Sequence, residues 1–512
     1  MAAPDRAPAT GAAGAVGARR AARAGRHPDG HAHRRGTGGL PPGAVRSVGR
    51  FAVEGLVALL LLQVVLLAGL IGAQAVPNAP IIRHLAEAVA DGDYGPSYLP
   101  DGMGGRADRF TECVELGYGV SSPDDPRSLW FRATGGPRLE SCGEGAAQVR
   151  AMAAGVQVLP PATYYRYWNG YALVTRPVLA TLGVPGARMV SGALLAAAGL
   201  AAWAALRRRA GAAAACALVL PVAVSTNALA MPALAFTHAL ALASIAAGVA
   251  LTAVATGSER LRGWRGAAVG AGGAGALLAY TDLLTTPAMS WCLCAAAAGA
   301  VARGTARNRT GGEDRDDDAP LPLRGSSPAA RTSTPTAVGA PALRPVLVSV
   351  LAAGAAWPVA YGVTWVSRWL VAAAVQGPGV FTAVRDKSAE RLDGASSAVD
   401  PSFGAPTAAN VERWLGTAPT AWTVLAVAAV VVLVCLVVAV LRGGAGRLLV
   451  AAVLAAPALV VPAWYEVLSN HSQVHAFFTY RSLPAAVGVV VAACLLAAAP
   501  GGGGAGARVN SA

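Results

Sequence analysis

The sequence predicts an all-α polytopic membrane protein with about ten transmembrane helices, cytoplasmic N- and C-termini and a large first extracytoplasmic loop. Only 13% of the 512 residues are charged and 54% are hydrophobic, whereas soluble domains carry about 25% charged residues. Many runs of about 18 or more residues contain no charge, and this length suffices for an α-helix to cross a bilayer. Basic residues cluster before position 50 and in short gaps between apolar runs, as expected for cytoplasmic segments.

The net charge of +14 does not indicate a nucleic-acid partner. The basic residues occupy the positions that orient membrane helices, and they form no separate basic domain. We therefore expect membrane lipids as partners and no nucleic acid; protein partners stay undefined. Five of the seven cysteines lie inside apolar runs, where a thiol acts as a small buried hydrophobic group.

The chain divides into five predicted segments. In chain order they are a disordered basic cytoplasmic tail (1–50), a first part of the membrane domain (51–301) with an outer loop (77–166), a disordered cytoplasmic linker (302–344), a second part of the membrane domain (345–499) with an outer loop (375–417), and a C-terminal tail (500–512).

Ten apolar stretches predict the spans, and the short basic gaps between them all fall on the cytoplasmic side. The stretches are Phe51–Val76, Ala187–Leu206, Ala212–Met231, Ala233–Thr256, Gly266–Asp282, Pro287–Val301, Pro345–Leu370, Ala418–Leu441, Leu448–Trp464 and Leu483–Ala499. An alternative applies to the first stretch, because Ala73-Gln74-Ala75 resembles a signal-peptide cleavage site. The long basic leader favours a retained helix.

The first outer loop has its own predicted structure. Ile81 to Val89 has the amphipathic pattern of a helix lying on the membrane surface, and Arg106 to Gly119 predicts a second helix. Cys113 and Cys142 stand alone in this polar segment. They are expected to form a disulfide if the loop is extracytoplasmic.

Ionisable residues inside or beside spans are costly and therefore mark candidate functional positions. In the predicted topology nearly all of them lie at the outer level: Asn227, His238, Asp282, Arg368, Glu466, His471, His475 and Arg481. None forms a chain across the membrane of the kind that a proton relay needs. The pattern favours a cavity at the outer face, covered by the first loop.

His471 and His475 are four residues apart and would share one face of a helix. Such a pair can bind a divalent metal, with Glu466, Asp282 or an acid of the first loop as third ligand. It can also bind phosphate or serve only in packing, and the sequence leaves these three roles open. No Walker, GxSxG, HExxH, CxxC or dinucleotide-binding pattern is present.

Four stretches resemble an uncharacterised family of bacterial multi-pass membrane proteins. They are Asp108-Arg109-Phe110-Thr111-Glu112-Cys113, Tyr164-Tyr165-Arg166-Tyr167-Trp168-Asn169-Gly170-Tyr171 with Arg176-Pro177, Asp282-Leu283-Leu284-Thr285-Thr286-Pro287, and Asn470-His471-Ser472-Gln473-Val474-His475 with Phe478-Thr479-Tyr480-Arg481. The architecture is also similar to that of GT-C glycosyltransferases, which bind lipid-phosphate sugars in an outer-face cavity. This chain has Asn169 where the family pattern leads us to expect a histidine.

The resemblance implies an outer-face glycosyltransferase of the cell membrane that uses a polyprenyl-phosphate sugar. Asp108 or Glu112 would be the catalytic base that activates an acceptor hydroxyl. The substrate-binding residues would be Arg166, Tyr167, Trp168, Asn169, Arg176, Asp282, Arg368, Tyr480 and Arg481. His471, His475 and Glu466 would hold a metal or phosphate. The alternatives are a transporter or flippase for a lipid or envelope precursor and a noncatalytic envelope assembly protein.

Overall fold

Helices form nearly all of the regular structure in the computed structural model, which describes residues 42–261, 263–310, 343–392 and 399–500. The helices are α1 (Pro42–Gln74), α2 (Asn78–Ala90), α3 (Arg109–Gly117), α4 (Leu129–Gly135), α5 (Cys142–Ala153), α6 (Ala172–Ala210), α7 (Ala212–Ser225), α8 (Met231–Leu234), α9 (Phe236–Thr256), α10 (Trp264–Thr281), α11 (Pro287–Thr310), α12 (Leu343–Gln376), α13 (Gly379–Leu392), α14 (Ala405–Leu415), α15 (Thr420–Ala455), α16 (Val460–Val467), α17 (Ser469–Val474), α18 (Ala476–Thr479) and α19 (Ser482–Ala498). A 3₁₀ turn, Ala456–Leu459, joins α15 to α16.

The chain divides into two compact units, residues 1–53 and 54–512. The described part of the first unit is the beginning of α1, which starts at Pro42. Helix α1 therefore includes residues 42–50 of the predicted tail, and residues 1–41 lie outside the described ranges. Residues 311–342 of the predicted linker and 501–512 of the predicted C-terminal tail also lie outside the described ranges. Helix α11 continues to Thr310, past the predicted end of its span at Val301.

Six helices among the described residues are long and apolar enough to cross a membrane. They cover Arg46–Gln74, Ala172–Ala210, Phe236–Thr256, Leu343–Gln376, Thr420–Val467 and Ala476–Ala498. The predicted all-α membrane class is confirmed at this level, and the count of ten is not. One reason is that α7 has only 14 residues, which spans about 21 Å and falls short of a bilayer core of about 30 Å.

Glycines change the direction of two long helices. In α6, Gly183 has φ 64° and marks a kink, so the stretch from Ala172 continues into the span predicted to begin at Ala187. In α15, Gly443 and Gly444 separate two helical parts, and Gly444 has φ 52°. A left-handed backbone is readily adopted only by glycine. These kinks are the physical reason why two predicted boundaries differ from the observed elements.

The segment predicted to be the first outer loop, residues 77–166, folds as a small layer of α2 to α5 with one β-hairpin. Strands β1 (Tyr98–Pro100) and β2 (Arg106–Asp108) pair antiparallel, so the predicted helix from Arg106 begins only at Arg109. The predicted disulfide between Cys113 and Cys142 is confirmed and joins α3 to α5. The loop shares one hydrophobic core with α6, α9 and α10.

Helix α2 corrects one expectation. Its apolar residues Ile81 and Leu85 are fully buried and pack in the same core as Leu179 and Val184 of α6. His84 also contacts the Leu179 carbonyl through Nδ1, at 2.7 Å. The apolar face therefore lies against protein and is not available to lie on the membrane surface.

Candidate functional site

A carboxylate–histidine pair joins the outer loop to a membrane helix. Asp108 caps α3, since its Oδ1 accepts a hydrogen bond from the Thr111 N–H at 3.1 Å, a common N-cap arrangement. Its Oδ2 lies 3.1 Å from Nε2 of His238, in the first turn of α9. Both side chains are almost fully buried. Burial alone would raise the pKa of Asp108, but the hydrogen bonds from His238 and Thr111 outweigh it and lower that pKa.

Glu112 lies one turn further along α3 and accepts from three donors. Its Oε1 accepts from Arg109 at 3.0 Å and from Arg188 of α6 at 3.3 Å. Its Oε2 accepts from the Phe236 N–H, the first residue of α9, at 3.0 Å. Arg188 also pairs with Asp93 at 2.7 Å. The two predicted acids therefore meet at the N-terminus of α9, where the helix dipole favours negative charge.

His471 and His475, the two histidines of the last helical hairpin (α16 to α19), face an arginine. Nη1 of Arg391 lies 2.6 Å from Nδ1 of His471 and 2.9 Å from Nε2 of His475. A guanidinium can only donate, so both nitrogens accept. His471 then donates from Nε2 to the Leu284 carbonyl at 2.8 Å. Both imidazoles are consequently neutral.

The arrangement gives the metal hypothesis no third ligand. Across the described ranges, no group of three or more His, Cys, Asp or Glu side chains is placed to hold a metal ion. Glu466 instead accepts from the Gly404 N–H at 2.9 Å and from Thr407, at the start of α14. Asp282 accepts from the Thr285 N–H and hydroxyl. The metal role of His471 and His475 therefore stays a prediction.

One aromatic side chain connects the acids to the histidines. The Phe478 ring stacks on His475 with a centroid distance of 5.1 Å and an interplanar angle of 16°. Phe478 also lies 5.1 Å from the His238 ring, with an interplanar angle of 47°. The first loop and the last hairpin, more than 300 residues apart in sequence, thus meet through Asp108, His238, Phe478 and His475.

Two of the predicted phosphate-binding arginines serve inside the fold. Arg176 donates to the carbonyls of Ala73, Tyr118 and Val76 and to the Asn78 side chain. Arg368 donates from Nε to the Tyr167 carbonyl at 2.9 Å and lies over the Trp168 ring at 5.7 Å. Its Nη1 and Nη2 are buried without a partner among the residues described.

The Tyr-Trp motif is likewise buried. Asn169 adopts φ 59° and donates to the carbonyls of Tyr164 and Tyr167. Trp168 donates to the Thr364 carbonyl at 2.5 Å. At the other end of the layer, Tyr480 lies under Arg413 at 5.2 Å and beside Arg481 at 6.0 Å. Two of the predicted substrate-binding residues, Arg166 and Tyr167, line a cavity.

An apolar groove begins next to the acidic pair. It has a volume of about 660 Å³ and is lined by α6, α7, α9 and α11. Gly192 and Leu242 line it, each four residues after Arg188 and His238, respectively. Four helical residues rise about 6 Å, so the lining of the groove begins about one turn from the polar cluster on both helices.

Sequence reasoning missed several residues of this arrangement. The sequence predicts His238 at the outer level but gives no sign that it pairs with Asp108. It predicts no role in the site for Arg188 or Arg391, whose partners lie 76 and 80 residues away. No local spacing signals such contacts.

The hairpin histidines carry a prediction about pH. Burial and the nearby Arg391 lower the pKa of His475 to about 4 and that of His471 well below its ordinary value. In the unfolded chain the pKa of both histidines is about 6.5. Because the unfolded chain binds protons more readily than the folded protein, acid favours unfolding. Their stabilising contribution is complete above about pH 6.5 and falls as the pH drops toward 4.

We expect Arg391→Met to reduce this acid sensitivity, since the cation that opposes protonation is removed. Thermal unfolding midpoints measured across that pH window would show a smaller decline than in the wild type. Arg385→Met, an exposed change on the same helix, is the control. An equal decline in all three proteins would contradict the assignment.

Comparison of the sequence and structure with protein-family models, curated proteins and solved structures finds no match.

Proposed function

We propose that the protein is an outer-face membrane glycosyltransferase of GT-C-like architecture that uses a lipid-phosphate-linked sugar in cell-envelope assembly. One observation carries the proposal: the lining of an apolar groove begins one helical turn from a buried carboxylate–histidine pair on α9 and from Arg188 on α6. The groove volume lies within the range of ligand sites, about 300–1,000 Å³. A polyprenyl chain would occupy the groove and place its phosphate near Arg188.

The proposal includes a topology of about ten spans in the cell membrane, with both termini cytoplasmic. Six long apolar helices support it, and shorter or kinked apolar helices would supply the remaining crossings. The disulfide between Cys113 and Cys142 supports an extracytoplasmic position for the first loop, since disulfides persist in oxidising compartments.

In the proposed reaction Asp108 acts as the base. Its carboxylate takes the proton of an acceptor hydroxyl, whose oxygen attacks the anomeric carbon of the sugar. The bond from that carbon to the phosphate oxygen breaks, and polyprenyl phosphate leaves with the electron pair. Arg188 stabilises the charge that develops on the phosphate. His238 is a positioning residue, because it acts through its hydrogen bond to Asp108.

The groove can be closed by a single substitution. A Cβ at Gly199 meets no atom within 4 Å, and the residue lines the groove. Gly199→Leu therefore fills space without a clash, and we expect it to weaken binding of a polyprenyl-phosphate hexose by about 10-fold or more, roughly 1.4 kcal/mol. Retention of the radiolabelled lipid by the purified protein measures this.

Gly362→Leu is the matched control, since it lies on α12 outside the groove and its Cβ also meets nothing within 4 Å. Equal lipid retention by both variants would refute the groove as the lipid site. Movement of the intact lipid-linked sugar across liposomes, without release of polyprenyl phosphate, would favour the flippase alternative.

A further inference from the structure

A second cavity lies on the other side of the hairpin histidines. It has a volume of about 200 Å³ and lies between α12, α13 and the Arg166–Tyr167 segment. Arg166, Lys387 and Arg391 line it together with Trp365 and Trp369, and none of its lining residues is acidic. The cavity is therefore small, aromatic and cationic.

The positive charge of this cavity is only partly compensated. Lys387 donates to Glu390 at 2.6 Å, on the exposed side of α13. Arg391 donates to two neutral imidazoles, which cancel none of its charge. Nε of Arg166 is buried and has no hydrogen-bond partner in the described part of the chain. Three cations and one nearby carboxylate leave an excess that suits an anion.

The aromatic walls leave ring surface for a second, less polar group. The indole N–H groups of Trp365 and Trp369 both donate to the Arg166 carbonyl, at 2.7 and 3.3 Å. Their polar atoms are thus satisfied, and the rings fix the backbone that carries Arg166. Tyr167 stacks on Trp365 with an interplanar angle of 10°. The face of an aromatic ring carries partial negative charge. It therefore attracts the partly positive C–H groups of a sugar ring.

We propose that this cavity binds a sugar phosphate, with the phosphate on Arg166 and Arg391 and the sugar ring against Trp365 and Trp369. The volume is below the usual range for drug-sized ligands, about 300–1,000 Å³, and so suits a single sugar unit. Guanidinium groups match phosphate geometry in a bidentate manner. The same chemistry is offered by a soluble sugar phosphate and by the headgroup of a lipid-linked sugar.

This site differs from the proposed catalytic position. A chain of side-chain contacts links the cavity to Asp108, and it runs from Arg391 through His475, Phe478 and His238. The inference rests on the cavity alone and does not require transfer activity. Binding without transfer would leave it standing even if the proposed glycosyltransferase activity fails.

The test uses the purified full-length protein and isothermal titration calorimetry. Hexose 1-phosphate is the soluble probe, and vesicles that contain a polyprenyl-phosphate hexose are the lipid probe. We expect binding of at least one probe, weakened about 10- to 100-fold by Arg391→Met and by Arg166→Met, as for loss of one charge-assisted hydrogen bond. The lipid probe can also bind in the apolar groove, so the probe whose binding both arginine variants weaken identifies the source of the headgroup in this cavity.

Controls make the outcome decisive. Arg385→Met removes an exposed arginine of α13 that pairs with Asp386, and it should leave binding unchanged. Lys387→Met tests the same cavity at a half-buried position if either arginine variant fails to fold. Absence of binding by both probes, or equal loss with Arg385→Met, would overturn the proposal.

Discussion

Asp108→Asn is expected to lower the rate of sugar transfer by roughly 10²- to 10⁴-fold, the usual contribution of a general base. Asparagine keeps the helix cap of α3 through its side-chain oxygen, since it is as good an N-cap as aspartate. Its NH2 group then faces Nε2 of His238, which accepts in the other tautomer. The substitution therefore removes the base with little change in the fold. Release of radiolabelled sugar from a polyprenyl-phosphate donor into product measures the effect.

Two further variants distinguish loss of the base from a general loss of stability. Asp91→Asn alters an exposed aspartate of the same outer loop and should leave the rate unchanged. Glu112→Gln removes the charge that pairs with Arg109 and Arg188 and one of the two acceptor oxygens, which the Arg109 and Arg188 guanidinium groups and the Phe236 N–H share. It should therefore lower thermal stability as well as rate. Transfer at the wild-type rate by Asp108→Asn would rule out Asp108 as the base.

The fold class was predictable because it depends on composition along the chain. Long uncharged runs and basic gaps need no tertiary information, and the paired cysteines stood alone in one polar segment. The boundaries at Gly183 and Gly444 were not predictable in the same way. A glycine in an apolar run serves equally for close helix packing or for a left-handed kink, and only the backbone distinguishes them.

The candidate site was predictable in its parts but not in its pairings. Asp282, Arg368 and the histidines were predictable as candidates because ionisable side chains beside membrane spans are energetically costly, and these share one predicted level of the membrane. Their roles depended on partners that come from other helices. Arg176 donates hydrogen bonds to backbone carbonyls, and Glu466 accepts hydrogen bonds at the N-terminus of α14. Arg391 donates hydrogen bonds to one ring nitrogen of His471 and one of His475. These bonds use the lone pairs with which the two nitrogens would bind a metal.

A Cys113→Ser, Cys142→Ser double variant is expected to lose about 3–4 kcal/mol of unfolding free energy. The bond closes a loop of sequence separation 29, and the chain-entropy relation gives that magnitude for a loop of this size. It also joins α3 to α5, so its loss loosens the helix that carries Asp108 and Glu112.

Denaturant unfolding of the purified protein measures the change, and Cys216→Ala, at a free and half-buried cysteine, is the control. A reductant should bring the wild type to the stability of the double variant and leave that variant unchanged. If removal of the bond lowered stability without lowering sugar transfer, the remaining contacts of α3 with α6 and α9 would suffice to hold it. The hydrogen bonds from Arg188, from His238 and from the Phe236 N–H would then be sufficient to position both acids.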